Sequence, residues 1–328
     1  DVKSAYAAVP KLAKLADAWL DYKDLSDDKK ELKKLKKKAK KEAQTIINIL
    51  CKYIRTMPGE YTEEDLKNIG ALNSTDQDKL KNESEVRRLI FSEISDRSSE
   101  VTIENDKIST TSGPWSNFDF DFSRAPIFYP LNNLTIEKGN FSSAKFYSNA
   151  DFSGATFTQT ADFSWVTFAQ NVRFSGAIFA QNADFSWTIF AQNADFKRAT
   201  FTQNADFKRA TFTHTADFYE AAFTLTADFS GTTFTQKANF NGATFTQNAD
   251  FSGATFTQNA DFSRAIFTQT ADFSWATFVQ DAYFAGATFV QKRSFKDAFF
   301  KNCAPTFMNE ILGEIGRASC RERVCLYV

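Results

Sequence analysis

Few residues in this sequence of 328 residues have the chemistry for catalysis or metal binding. It contains one histidine, His214, and four cysteines. A structural zinc site takes about four His or Cys ligands, and a nucleophilic Ser or Cys needs a base within hydrogen-bond reach. No Gly-rich phosphate loop and no Ser/His/Asp grouping is found. The sequence therefore predicts no catalytic, cofactor-binding or metal-binding residues, and a protein that is not an enzyme.

Two of the cysteines lie in a C-terminal segment that we expect to be foreign to the protein. Residues 314–324 read EIGRASCRERV, which resembles the translation of a common sequencing adapter fused to a truncated gene, so residues 314–328 are excluded from functional reasoning. Cys51 and Cys303 remain, and two distant thiols form no disulfide framework, which indicates a reducing compartment. The chain begins with Asp rather than Met, so its true start is expected to lie upstream.

A cluster of lysines is the strongest charged feature. The chain as a whole has 39 Lys+Arg against 40 Asp+Glu, so direct nucleic-acid binding is not expected. Between residues 29 and 41, however, there are nine lysines and a single acidic residue, Glu31. The cluster is either a patch for an anionic membrane surface or a solvated helix face, because Leu32, Leu35 and Ala39 keep an apolar stripe. The candidate contact residues are Lys33, Lys34, Lys36, Lys37, Lys40 and Lys41.

Phenylalanine recurs with a fixed period. The chain has 37 Phe, and from residue 141 to residue 300 they are spaced alternately by five and six. The unit is eleven residues long, as in Ala249–Asn259, and fifteen such units fill residues 139–303. Ala stands two residues before each Phe in the typical unit, so both point inward from an extended chain while the residues between them point outward. The extra residue, Asn171 in one unit, is predicted to lie at a corner.

Two units are predicted to make one coil. Eleven residues would enclose too little space for two Phe rings, whereas 22 residues give four sides and four inward Phe, with coils stacked at about 4.8 Å. Thirty buried rings then supply the core. The predicted core ladder is typified by Phe152, Phe157, Phe163, Phe168, Phe251 and Phe256.

The pieces of the form A-(D/N)-F resemble the repeats of pentapeptide-repeat proteins. The extra residue in every second piece resembles the Phe-rich, eleven-residue subgroup of that family. The resemblance implies a mainly β protein with a right-handed four-sided β-helix, a β-solenoid, over residues 118–303.

The residues before the repeat are predicted to be a helical leader, residues 1–97. Apolar spacing predicts helices over 3–20 and 27–56, the latter capped by Ser26, and a third over 85–94. Residues 59–82 are predicted to be a polar loop and 98–117 a linker. Residues 118–122, where Phe and Asp alternate, are predicted to be a strand that caps the solenoid, and 304–313 a tail.

Three patches of the leader resemble membrane-anchored bacterial pentapeptide-repeat proteins. They are Leu15–Trp19, Ile49–Arg55 and Glu85–Arg87. No stretch of this chain approaches about 18 consecutive apolar residues. The resemblance implies a transmembrane hairpin upstream of this sequence, and hence a cytoplasmic location at the inner face of the plasma membrane.

Three tryptophans and a series of aspartates are the candidate surface features of the repeat. Trp165, Trp187 and Trp275 replace the usual Gly and are separated by multiples of 22, so they should share an outward face that is either an interface or covers the rod. One Asp recurs in most units, and it either mimics the charge of DNA or accepts hydrogen bonds at the corners.

The sequence thus favours a protein-interaction scaffold or adaptor whose protein partner it does not name. The first alternative is a cytosolic DNA mimic that binds a type II topoisomerase, as some pentapeptide-repeat proteins do. The second is an ice-binding solenoid, because Thr-Phe-Thr recurs, although Ile178, Ile189, Ala222 and Ile266 interrupt the threonine rows.

Overall fold

The computed structural model describes residues 1–21, 28–104, 107–132 and 139–302. For residues 99–111 and 132 the description covers the backbone alone. Cys303, Ser26, and the predicted tail and adapter-like segment lie outside the described residues.

Four α-helices precede the solenoid. They are α1 (Val2–Leu20), α2 (Lys29–Arg55), α3 (Glu63–Lys67) and α4 (Ser74–Ser98), with a 3-10 turn at Ile69–Ala71. The N-cap of α2 is Asp28, whose carboxylate accepts the Lys30 amide N–H at 2.8 Å. An acidic cap also opposes the positive end of the helix dipole.

The predicted loop over 59–82 is wrong, because this stretch is largely helical. Thr62 and Asp65 form a reciprocal capping box that starts α3, and Asn73 accepts the Asp76 amide N–H at the start of α4. Local capping satisfies the first amides of each helix, so a polar segment with little apolar periodicity can still be helical. The helix predicted over 85–94 is the second half of the longer α4.

The apolar spacing of α1 predicts a buried stripe that is wrong in part; the stripe comprises Tyr6, Val9, Leu12, Leu15, Ala16 and Trp19. Tyr6, Leu15 and Trp19 are exposed, whereas Val9, Ala13 and Ala16 are buried. Small side chains allow α1 to approach α2 and α4 closely, and this close approach selects a different face of the helix from the one with the largest apolar residues.

The segment between the helices and the rod contains a β-hairpin. Strands β1 (Ser99–Glu104) and β2 (Lys107–Ser112) pair antiparallel, with Ser99 opposite Ser112. The sequence predicts only a linker here, since a single two-stranded hairpin leaves little apolar signature.

The capping strand predicted over 118–122 is also wrong. Only Asp121 forms an isolated bridge, with Asn140. Phe118, Phe120 and Phe122 are nevertheless buried, so the alternation marks burial rather than a regular strand. The Phe122 ring packs on Phe91 of α4 at 4.8 Å and on Phe141 of the rod at 5.1 Å. The helices thus cover the end of the solenoid.

The solenoid has four parallel sheets, faces 1 to 4, numbered in the order in which the chain visits them from Gly139. Face 1 has eight strands: β5 (Gly139–Asn140), β9 (Ala161–Asp162), β13 (Ala183–Asp184), β17 (Ala205–Asp206), β21 (Ala227–Asp228), β25 (Ala249–Asp250), β29 (Ala271–Asp272) and β33 (Arg293–Ser294). Face 2 has nine: β3 (Pro126–Ile127), β6 (Lys145–Phe146), β10 (Thr167–Phe168), β14 (Ile189–Phe190), β18 (Thr211–Phe212), β22 (Thr233–Phe234), β26 (Thr255–Phe256), β30 (Thr277–Phe278) and β34 (Phe299–Phe300).

The other two sheets complete each coil. Face 3 has eight strands: β4 (Leu131–Asn132), β7 (Ala150–Asp151), β11 (Val172–Arg173), β15 (Ala194–Asp195), β19 (Ala216–Asp217), β23 (Ala238–Asn239), β27 (Ala260–Asp261) and β31 (Ala282–Tyr283). Face 4 has seven: β8 (Thr156–Phe157), β12 (Ile178–Phe179), β16 (Thr200–Phe201), β20 (Ala222–Phe223), β24 (Thr244–Phe245), β28 (Ile266–Phe267) and β32 (Thr288–Phe289).

The register confirms a coil of 22 residues with four inward Phe. Phe168 lies opposite Phe190, and Phe157 opposite Phe179. Rings one coil apart stack face to face, for example Phe207 on Phe229 at 4.7 Å, while Phe207 meets Phe218 edge-on at 5.4 Å. The predicted core ladder is confirmed, since Phe152, Phe157, Phe163, Phe168, Phe251 and Phe256 are at most 1% exposed.

The two corners of each unit differ. A tight turn follows every Ala-Asp strand, and its third residue after Asp has a positive φ, as at Gly253 (64°) and Trp165 (60°). The Asn position that the sequence places at a turn lies at the other corner and has no positive φ. There Asn171 instead accepts the amide N–H of Asn193 in the next coil at 3.2 Å. The extra residue therefore links neighbouring coils.

Candidate functional site

The three tryptophans lie in one column at the corner between faces 1 and 2. This column, the corner column, follows the register of face 1 and reads Ser143, Trp165, Trp187, Arg209, Gly231, Gly253, Trp275 and Asp297. The rings of Trp165 and Trp187 stack at 4.7 Å with 5° between their planes. The Arg209 guanidinium lies 4.8 Å from the Trp187 ring centroid, so the three side chains form one continuous stack.

The tryptophan side chains are exposed although the backbone beneath them is strained. Trp165, Trp187 and Trp275 are 57%, 39% and 67% exposed, so each is partly buried against the rod and partly exposed, which is compatible with both interpretations. Their φ values are 60°, 59° and 61°, a left-handed conformation that costs a residue with a side chain about 1–2 kcal/mol. Gly231 and Gly253 occupy the same column without that cost. Folding of the corner does not require tryptophan.

The aspartates accept hydrogen bonds at the corners. In every case the carboxylate accepts the amide N–H two residues later, as Asp206 does from Lys208 at 2.8 Å. The bond is an Asx turn, which starts the tight corner. The aspartates with this bond are Asp151, Asp162, Asp184, Asp195, Asp206, Asp217, Asp228, Asp250, Asp261 and Asp272.

These aspartates divide into two ladders with different surroundings. Face 1 carries an uninterrupted row, the Asp stripe: Asp162, Asp184, Asp206, Asp228, Asp250 and Asp272. On face 3 the row is broken by Arg173, Asn239 and Tyr283. There Arg173 lies 3.6 Å from Asp151, and Lys197 lies 3.2 Å from Asp217. Within the described residues no Lys or Arg forms an ion pair with the Asp stripe.

The pKa values of Asp206 on face 1 and of Asp151 on face 3 shift in opposite directions. Burial raises the pKa of Asp206, and the neighbouring charges of Asp184 and Asp228 add to the shift. Burial also acts against the charge of Asp151, but hydrogen bonds from Ser153 and the charge of Arg173 lower its pKa overall. Negative charge is therefore more concentrated on face 1 than on face 3, where neighbouring cations partly neutralise it.

The lysine cluster lies on the first half of α2. Lys33, Lys34, Lys36, Lys37, Lys40 and Lys41 are all exposed, while Ala39 is buried. The helix thus presents its lysines to solvent and packs on its small apolar side, an arrangement that suits both interpretations of the cluster. Lys38 lies 5.9 Å from the ring centroid of Trp19 on α1.

The three leader patches meet where the helices contact the rod. Asp17 accepts hydrogen bonds from Arg97 and from the indole of Trp115. Arg55 pairs with Asp121 in the first coil. Arg87, only 1% exposed, donates to the Ile54 carbonyl at 2.8 Å and to the Thr56 carbonyl at 2.7 Å.

Arg87 is a residue whose role sequence reasoning missed. Its guanidinium also bonds Glu83 and lies 5.5 Å from the ring centroid of Tyr53 and 5.4 Å from that of Phe128. It therefore caps the C-terminal carbonyls of α2 and joins α4 to the first coil. The sequence alone does not distinguish the buried Arg87 from its neighbour Arg88, whose side chain is exposed.

The remaining chemical candidates have structural surroundings. Burial raises the pKa of the Cys51 thiol to about 12, which makes it a poor nucleophile at neutral pH. His214 is exposed beside Thr213. Among the described residues no group of three or more His, Cys, Asp or Glu is placed to hold a metal ion.

The threonines that follow Phe use their hydroxyls within the fold. Thr213, Thr235 and Thr257 each donate to the carbonyl of a Phe in the preceding coil. Four threonines, Thr211, Thr233, Thr255 and Thr277, are consecutive on face 2, but Ile189 and Phe299 flank them. No observation at these rows favours ice binding.

Comparison with known proteins identifies the repeat. A family model described as pentapeptide repeats (9 copies) matches residues 141–189, 188–233, 218–266 and 252–298. The search of curated proteins and the search of solved structures each gave no match. The matched residues coincide with the four stacked sheets, and the chain is therefore a pentapeptide-repeat protein.

Proposed function

We propose that this protein is a non-enzymatic interaction scaffold whose rod presents the corner column to a protein partner. The observation that carries the proposal is the exposed Trp165–Trp187–Arg209 stack on a strained backbone. Other corners with positive φ carry Arg198, Glu220 and Arg264, so the exposed aromatic stack rather than the strain alone distinguishes this column. Trp and Arg are also the residues most enriched among binding hot spots.

The rod suits this task because its backbone is uniform. Coils pair through the same hydrogen bonds along the whole length, so outward side chains can vary without changing the core. Trp275, three coils beyond Arg209, adds a second aromatic position on the same line. Since the column runs parallel to the rod axis, the proposed partner is an elongated surface or an extended segment.

Site-specific photo-crosslinking tests the scaffold proposal. A photoreactive phenylalanine replaces Trp187 in the full chain, expressed in a bacterial host, and Gly176 serves as matched control. Gly176 has φ 65° at the equivalent corner on the opposite side of the rod. The proposal expects a discrete adduct with one protein from position 187 and none from position 176. Equal adducts from both positions, or none from either, contradict it.

A membrane contact through the lysine cluster is the second part of the proposal. Support comes from the exposed lysines on one side of α2 and from the resemblance of the leader to membrane-anchored relatives. The described helices include none that is both long and apolar enough to span a bilayer. Vesicle flotation tests the contact: vesicles with anionic lipid should carry the protein, neutral vesicles should not, and replacing Lys33, Lys34 and Lys37 by Gln should abolish flotation.

A DNA mimic that acts on a type II topoisomerase is the second candidate function. The Asp stripe favours it, because the stripe is a regular row of negative charge. Duplex DNA, however, carries one charge per about 1.7 Å of axis, whereas the stripe has one per coil, about 4.8 Å. A supercoiling assay decides: inhibition by the protein that is lost when Asp184, Asp206 and Asp228 become Asn would support the mimic over the scaffold.

A further inference from the structure

We propose that the Asp stripe of one copy docks the lysine-bearing half of α2 from a second copy. The two surfaces are the strongest opposite charges on the chain, six aspartates in a row and nine lysines in thirteen residues. This contact is separate from the partner proposed for the corner column and does not depend on it.

The Asp stripe is only weakly balanced by cations, since Lys208, whose charge acts against the rise in the pKa of Asp206, forms no ion pair with it. Each carboxylate uses one oxygen for the corner N–H and remains half-buried. Within the described residues no Lys or Arg pairs with it, in contrast to face 3. Like charges one coil apart repel each other, and the raised pKa of Asp206 has that repulsion among its causes. A row of cations would relieve it.

The lysines of α2 match the stripe in spacing. Lys30, Lys34, Lys37 and Lys41 follow at intervals of four, three and four, so they form one stripe along the solvent side of the helix. At 1.5 Å per residue this lysine stripe is about 16 Å long, or about 5.5 Å per step. The Asp stripe advances about 4.8 Å per coil. Four lysines can therefore lie along four successive aspartates.

The association would be head-to-side. The lysines and the Asp stripe are different surfaces, so a contact between them does not close on itself, and each docked copy still offers a free stripe. Copies should therefore form open chains at low salt, and the chains should separate at about 1 M salt, where the Debye length is about 3 Å.

Complementary charge variants test this inference by sedimentation velocity on the full chain. The stripe variant carries Asp184→Asn, Asp206→Asn and Asp228→Asn. The lysine variant carries Lys30→Gln, Lys34→Gln, Lys37→Gln and Lys41→Gln. Asparagine keeps the corner, because Asn239 already accepts the Asn241 amide N–H at the same position in a unit. The matched control carries Asp195→Asn, Asp217→Asn and Asp261→Asn on face 3.

The wild type and the control should form species larger than dimers that depend on concentration. Each variant alone should be monomeric, its association weakened about tenfold to a hundredfold by the loss of several surface ion pairs. An equimolar mixture of the two variants should form a dimer and nothing larger, since only one pair of complementary surfaces remains.

Three outcomes would overturn the inference: a monomeric wild type at low salt, a mixture that does not associate, or a control as impaired as the stripe variant. A monomeric wild type whose stripe still binds oligolysine would instead assign the stripe to a separate cationic partner. None of these outcomes bears on crosslinking from position 187, so the scaffold proposal stands or fails separately.

Discussion

The helical segment, residues 1–98, and the solenoid differ in how many times each stabilising contact occurs. In the solenoid the same contacts recur in every coil: a stacked Phe, an Asx turn and a pair of ladder hydrogen bonds. In the helical segment each contact is made once, between residues distant in sequence, such as Arg87 with Ile54 and Arg97 with Asp17.

In the solenoid, the residues that stabilise the fold are different from those that form the surface. In the helical segment, some residues do both. A coil tolerates Gly, Trp, Arg or Glu at the corner because its core does not involve that side chain. In the helical segment, by contrast, polar side chains such as Arg87 and Arg97 are part of the packing. A rod can therefore acquire a binding surface at any corner at little structural cost, whereas the helices can do so only on their solvent side, as in the lysine cluster of α2.

Replacing Arg87 by Leu should have the largest effect. The substitution leaves the Ile54 and Thr56 carbonyls and Glu83 without their buried partner, and breaking a buried charged network costs about 3–5 kcal/mol. Urea unfolding followed by far-UV circular dichroism should show an earlier loss of the helical signal. Arg88→Leu, an exposed neighbour, should change stability by less than about 1 kcal/mol. Equal losses of stability from the two variants would show that the buried contacts of Arg87 contribute no more than those of an exposed arginine.

Replacing Phe207 by Ala should cost about 3–5 kcal/mol, since the ring is fully buried. Its contacts are with neighbouring coils, Phe185 and Phe229 above and below it, so exchange of amide hydrogens should accelerate in those coils first. Protection in α4 should change least. Uniform loss of protection along the whole chain would show that the solenoid is not built from neighbour contacts alone.

Asp206 on face 1 and Asp151 on face 3 should respond to acid with opposite sign. The pKa of Asp206 is raised in the folded protein, so its charge destabilises the fold at neutral pH and the cost disappears as pH falls through that pKa. The pKa of Asp151 is lowered, so its contribution is lost as pH falls. Asp206→Asn should thus gain stability over wild type at pH 7, and the gain should shrink as the pH falls toward 4. Asp151→Asn should lose stability at pH 7, and the loss should shrink only below about pH 4, where Asp side chains of the unfolded chain become protonated. Parallel pH profiles would contradict the contrast between faces 1 and 3.

Replacing Trp187 by Gly should have the smallest effect on stability. Gly removes the left-handed strain and loses the stack with Trp165 and Arg209, two contributions of about 1 kcal/mol that oppose each other. The melting temperature should stay within a few degrees of wild type, while crosslinking at the corner column should disappear. A loss of more than about 2 kcal/mol would give Trp187 a structural role instead.

The solenoid could be predicted from sequence because a single short rule decides it. Phe at alternating five- and six-residue spacing defines the inward face, and the space four rings need defines the coil. The helices over 59–82 could not be predicted in the same way, because capping by Thr62 and Asn73 rather than apolar periodicity starts them. The apolar spacing of α1 correctly predicted that Val9 and Ala16 are buried, but close helix packing buries Ala13 and leaves the large side chains of Leu15 and Trp19 exposed.

The sequence by itself determined the repeat, its family, the core ladder and the separation of helices from rod, because these follow from local spacing and apolar content. The spacing by multiples of 22 also placed the three tryptophans on one face. Only the tertiary structure decided which rings stack and which charges find a partner. The Asp stripe and the Trp stack are assembled from residues 22 apart, and Arg87 meets α2 across 33 residues of sequence. Such contacts depend on how coils and helices stack, and no single segment contains that information.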